Sequence, residues 1–181
     1  MIQIRVDNAE RIEKLFEKTP KEAKKILVRA INRSATAART RSSVLIRKNY
    51  IVKAGDIKKL IKIRNATASN LSAQIRASGP VTPLMKFDVT PNSPDTVIVR
   101  ARVKKGSSRK VIKHGFVNTM SNSHVNVFTR VGKNRLPIKG LYGPSIAQMM
   151  GKEEIAEEII ERGQTVLDER LEHELNRLLR G

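Results

Sequence analysis

The sequence predicts an α+β fold: a mainly antiparallel sheet of four or five strands packed with a long N-terminal basic helix and a long C-terminal acidic helix. Three observations lead there. Residues 20–48 repeat apolar side chains at helical spacing, residues 70–130 switch to two-residue alternation broken by Gly and Pro, and helical spacing returns from Lys152. Strands segregated from helices along a chain make an antiparallel sheet the economical arrangement. The 181 residues suit one domain. It divides into a helical part (1–64), a β part (65–130), a Gly/Pro loop with a short helical turn (131–150) and the C-terminal helix (151–181).

Taken in order, Ile12, Leu15 and Phe16 predict a short helix over 8–18. Thr19 fits an N-cap, Pro20 the first helical position and Glu22 the third residue after the cap, which is a capping box. The helix that follows runs to about residue 48, with Ile26, Leu27, Ala30, Ile31, Ala37, Ala38 and Leu45 as its apolar stripe. Lys25, Arg29 and Arg33 stack at four-residue steps on another face, and Arg47 projects the same way. At roughly 1.5 Å per residue this rod is about 44 Å long, more than a small domain ordinarily covers alone.

A second short helix is expected from Asp56 to about residue 64, through Ile57, Leu60 and Ile61. Strands are expected over 71–77, 85–89, 97–103, 110–118 and 124–130, with Gly79-Pro80, Pro91 to Pro94, Gly106-Ser107-Ser108 and 119–123 as turns. Residues 131–144 contain three Gly and two Pro and read as an irregular loop. A helical turn at 145–150 precedes the last helix. Its stripe is Ile155, Ile159, Val166, Leu167, Leu171, Leu175, Leu178 and Leu179, with Gly163 as a weak point. Its opening glutamates suit the helix dipole.

The formal charge of +19 is unevenly spread. Residues 1–20 are neutral, 21–86 carry +14, 87–150 carry +9 and 151–181 carry −4. A basic body can face nucleic acid, where phosphates reward clustered cations by counterion release. It can equally meet the acidic segment of a neighbouring copy. No apolar run is long enough for a membrane-spanning helix. With no cysteine, and no metal-ligand spacing among His114, His124 and His173, neither metal nor cofactor is expected. There is no phosphate loop, and Ala147 stands where a nucleophile elbow after Gly143 would need glycine. The acids of the central region, Glu22, Asp56, Asp88 and Asp95, are scattered. The chain reads as a non-enzyme.

Against this background the order of features resembles the prophage minor tail protein Z family of tailed bacteriophages. The matching parts are Ala30-Ile31-Asn32-Arg33, Ala37-Ala38-Arg39-Thr40-Arg41, Tyr50 to Ile57, Val103-Lys104-Lys105-Gly106 and Phe116-Val117. Val127 to Lys133 runs into Arg135-Leu136-Pro137-Ile138-Lys139 and Leu141-Tyr142-Gly143-Pro144-Ser145, and Leu171 to Leu175 closes the pattern. The resemblance covers about residues 20–178.

It implies a structural virion protein acting in tail completion, as terminator or neck component, at the head-proximal end of the tail. It also implies a homo-oligomeric ring, commonly sixfold, around the channel for double-stranded DNA, with other tail or neck proteins as neighbours. The alternative is a basic nucleic-acid-binding module. Lys25, Arg29, Arg33 and Arg47 are the candidates for the DNA channel or a subunit interface. Leu136, Ile138, Leu141 and Tyr142 combine apolar anchors with fixed turns and are expected to be buried, within the fold or against another copy. Leu171, Leu175, Leu178 and Leu179 are the candidates for an assembly helix that lies partly on a neighbour.

Overall fold

The computed structural model describes residues 2–5, 20–94, 98–120 and 123–179, with side chains placed from residue 21 onward apart from Leu175, Leu178 and Leu179. The expected helix over 8–18 and the Thr19 cap lie outside the described residues, as does Val97 of the expected 97–103 strand.

Helix α1 spans Pro20–Asn49 and closely follows the expected segment. Its apolar stripe is buried along its length, from Ala23 to Ile46. Small residues recur within it every fourth position, and Ala30, Ser34, Ala38 and Ser42 are all buried. The last helix makes its most extensive contact here. Ser34 donates from Oγ to the Gly163 carbonyl at 2.5 Å, and Arg41 reaches Glu158 at 2.6 Å. Arg29 lies 3.9 Å from Glu174. Rising numbers on one helix meet falling numbers on the other, so the pair is antiparallel.

On α1 also lies a sheet of β1 (Ile2–Arg5), β2 (Ile61–Arg64) and β3 (Ser72–Ala77) in the order β1-β3-β2. Ala73 and Ile75 are fully buried. Strand β1 went unexpected, although Ile2 and Ile4 alternate. Helix α2 (Ala54–Leu60) begins two residues before Asp56 and stops short of 64. Ile61 and Ile63 alternate with Lys62 and Arg64, and pairing Ile63 with Ile75 suits β-branched residues better than another helical turn.

The remaining strands are short. β4 (Thr82–Pro83) pairs with β11 (Tyr142–Gly143). A 3-10 turn at Leu84–Lys86 interrupts the expected 85–89 strand and leaves β5 (Asp88–Thr90). β5 pairs with β6 (Arg100–Arg102), which pairs with β7 (Lys110–Val111). β8 (Gly115–Thr119), β9 (Val125–Arg130) and β10 (Ile138–Gly140) form the last sheet. The expected 110–118 strand is split between β7 and β8 by a turn at Ile112–Gly115, where His114 has φ 55°. Pairing is antiparallel as expected, but among the described residues it is spread over four small sheets instead of one. Pro80, Pro91 and Pro94 lack the amide a ladder needs, so the chain turns where it would otherwise extend, and Pro83 ends β4.

Helix α3 (Ile146–Met150) has a capping box in which Ser145 and Gln148 exchange backbone and side-chain bonds. Helix α4 spans Glu153–Leu179. Ile155, Ile159, Val166 and Leu167 are buried, and Leu171 is half-buried against the same core. The stripes of α1 and α4 thus cover each other within the chain as far as Leu171. This is how a rod of about 45 Å finds cover without a neighbour.

Asp88 ties β5 to both strands beyond it. Arg109 grips it bidentately, at 2.8 and 3.1 Å, and Arg102 Nε donates at 2.9 Å. The hydrogen bonds from Arg109 hold the Asp88 carboxyl below the usual carboxylate range; partial burial works against them and Arg102 adds to them. A carboxylate with a depressed folded pKa stabilises the fold above its unfolded pKa of about 4. That contribution is lost as pH falls through the lower folded value. Urea midpoints of the parent and Asp88→Asn should therefore differ at pH 6 and draw together as pH falls below about 4. A gap that stays constant with pH would show that Asp88 acts by shape alone.

Candidate functional site

The four basic candidates on α1 are all solvent-exposed. Helical spacing sets Lys25 and Arg47 on the ridge opposite the buried stripe, with Arg29 at its edge, where it lines the smaller seam groove and lies 3.9 Å from Glu174. Arg33 stands closer to the seam with α4 and lines two adjoining grooves there. The larger groove encloses about 380 Å³. Arg33, Arg41 and Val44 line it from α1, and Arg162, Val166, Glu169 and Arg170 from α4. The C-terminal helix, acidic in total, therefore turns four of its residues, two of them arginines, toward this groove. Sequence reading missed the feature because net charge per segment conceals which face each charge occupies.

The loop candidates separate into two groups. Ile138 and Leu141 are half-buried, and Leu141 packs on the core. Leu136 is 67% exposed and Tyr142 52%, with Val131 beside them in the chain at 66%. Burial within the fold therefore does not apply to Leu136 or Tyr142. The physical reason is local. Leu136 sits in the turn between β9 and β10. Tyr142 lies on a two-residue strand, its hydroxyl 3.1 Å from where a side chain on Gly140 would begin. Leu171 of the assembly-helix candidates is half-buried, and the side chains of Leu175, Leu178 and Leu179 lie outside the described residues.

The loop is held by a residue that sequence reading passed over. Asn126 is fully buried on β9. Its Nδ2 donates to the Leu141 carbonyl at 3.0 Å, and its Oδ1 accepts from the Met85 amide at 3.3 Å. The Leu141 amide donates to Val127 at 2.8 Å, and the Leu84 amide donates to the Leu141 carbonyl at 3.1 Å. Gly143 lets the Phe87 ring approach so closely that a side chain would overlap it. Elsewhere Asn32 pairs both amide atoms with the Ala66 backbone, at 3.1 and 2.7 Å. Buried Tyr50 bridges to Lys104 while the Ile51 amide donates to Val103. Phe116 opposes Phe128 across β8 and β9, with Arg130 over the Phe116 ring at 5.8 Å. These aromatics thus pack in the protein.

The recognisable sequence motifs therefore occupy joints between elements, except that Arg33, Ala37, Thr40 and Arg41 line the larger groove. Among the described residues no group of three or more His, Asp or Glu side chains comes together. The exposed features are a cationic ridge, an arginine-lined groove and an apolar loop. The chain belongs to the prophage minor tail protein Z family: the sequence profile of prophage minor tail protein Z (GPZ) matches residues 7–181. It is accordingly a structural protein of the bacteriophage tail. No curated protein and no solved structure matches the chain.

The loop geometry separates fold from surface. Asn126→Ala should lower unfolding free energy by about 1–3 kcal/mol, because it leaves the Met85 amide without its acceptor and takes away one of the two donors to the Leu141 carbonyl. Tyr142→Ala and Leu136→Ser should change it by less than about 1 kcal/mol, as exposed positions do. Denaturant titration checks both. A Tyr142→Ala loss as large as that of Asn126→Ala would show that the tyrosine belongs to the core.

Proposed function

We propose that this tail protein is a completion or terminator component that forms a ring at the head-proximal end of the tail, around the DNA channel. The observation that carries this reading is the exposure of Leu136, Tyr142 and Val131 on a loop whose backbone is fixed to the core. Anchored apolar side chains left in water suit a surface that another protein covers. Other tail or neck proteins, or further copies of the chain, are the partners of that loop. Lys25, Arg29 and Arg47 form the ridge that faces double-stranded DNA, contacting phosphates without reading sequence.

Three measurements test the proposal. Native mass spectrometry of the pure protein should give a defined oligomer, and an antibody label on native particles should fall at the head-proximal end of the tail. A label at the distal tip would overturn the placement. Changing Lys25, Arg29 and Arg47 together to Gln should leave melting unchanged. It should lower the slope of log binding constant against log salt for duplex DNA by about 2–3, near 0.9 per phosphate contact. An unchanged slope would remove DNA from the ridge.

The basic charge also favours a second reading, a nucleic-acid-binding module acting alone. That reading expects a monomer at salt concentrations that suppress DNA binding.

A further inference from the structure

We propose that the arginine-lined groove on one flank of the α1–α4 seam receives the acidic opposite flank of α4 from a second copy of the chain. The inference rests on the assembly reading above and names the surfaces that meet. Four arginines, Arg33, Arg41, Arg162 and Arg170, surround the groove, and Glu169 is the single acid lining it. Arg41 is already engaged by Glu158 of its own chain at 2.6 Å. Among the described residues the other three arginines have no carboxylate within 4 Å. The groove is not purely polar, because Val44 in its wall is 47% exposed.

The other flank of α4 has the complementary composition. Ile160 is 52% exposed, and Glu153, Glu157 and Glu161 beside it are exposed too, with no cation within 4 Å among the described residues. Ile160 and Arg162 stand about 200° apart around the helix, at 3.6 residues per turn. The two surfaces therefore point away from each other and cannot meet within one chain. Between copies, Ile160 would cover Val44 while the glutamates reach the free guanidinium groups, which offer planar paired donors to carboxylates. Duplex DNA would satisfy the arginines but leave Val44 without an apolar partner, so the acidic flank is the better occupant. A contact between two different surfaces of identical chains is head-to-tail. It closes into a ring when the rotation permits.

The experiment uses two charge-reversed full-length chains. One carries Arg33→Glu and Arg170→Glu in the groove, the other Glu157→Arg and Glu161→Arg on the flank. Analytical ultracentrifugation should show an oligomer for the parent and a dissociation constant at least tenfold weaker for each variant alone. Mixed in equal amounts, the two variants should assemble again in alternation, since the natural groove of one takes the natural flank of the other and the two reversed surfaces are complementary as well. A chain bearing all four changes should assemble again. Unchanged thermal melting checks the fold; if a reversed chain misfolds, Arg33→Gln with Arg170→Gln, and Ile160→Ser, serve instead. Variants that retain the parent oligomer would overturn this interface and leave the assembly reading standing. Groove variants that retain the oligomer but lose duplex DNA would assign the groove to nucleic acid. A parent chain that stays monomeric at every concentration would overturn the assembly reading and this inference with it.

Discussion

A serine hydroxyl against a glycine carbonyl sets the spacing between the two long helices. Ser34 and Gly163 are both buried, and their bond satisfies a polar group that would otherwise be stranded in the seam. Glycine inside a helix costs about 1 kcal/mol relative to alanine. Here it leaves the carbonyl open to a side chain from α1. The four-residue ladder of Ala30, Ser34, Ala38 and Ser42 lines the same helix with small residues. Close packing follows, and with it the burial of Ile155, Ile159 and Leu167. The sheet of β1, β3 and β2 and the short helix α3 also rest on α1. Its placement is therefore the frame on which the rest of the chain is hung.

What could be read from the sequence followed periodicity. The two long helices repeat their apolar residues over enough turns that tertiary context does not override the pattern. The segments 72–77 and 125–130 alternate cleanly and became strands. Failures occurred where two patterns share few residues. Ile57, Leu60 and Ile61 fit a helical stripe, yet Ile61 begins a strand because β3 supplies it with a partner. Residues 138–140 and 142–143 read as loop because runs of two or three residues show no period, and their pairing depends on Asn126 and Phe128 elsewhere in the chain.

The candidate site was legible in charge and not in geometry. Lys25, Arg29 and Arg47 were placed on one face by spacing alone; all three are exposed, and Arg29 also reaches Glu174 of α4. The groove was invisible because it is made by two helices whose relative rotation no local pattern encodes. Leu136 and Tyr142 look like core residues by type. Their exposure follows from the brevity of the strands around them, which leaves no element to lie above the loop. Asn32 and Asn126 carried no signal of their own. Each became meaningful only when the structure set it against a backbone segment 34 or 15 residues distant.

The tethering of Leu141 has a mechanical side. Its carbonyl accepts from both Leu84 and Asn126, and its amide donates to Val127. A pull on the exposed loop reaches these bonds together, because all of them converge on one residue. Bonds loaded in parallel share the force and must give way as a set, whereas a hairpin peeled from its tip surrenders them singly. The load then passes into β9 and the turn before β5, and so into the body of the molecule. The exposed loop of this chain is thus riveted to the interior at a single point behind it.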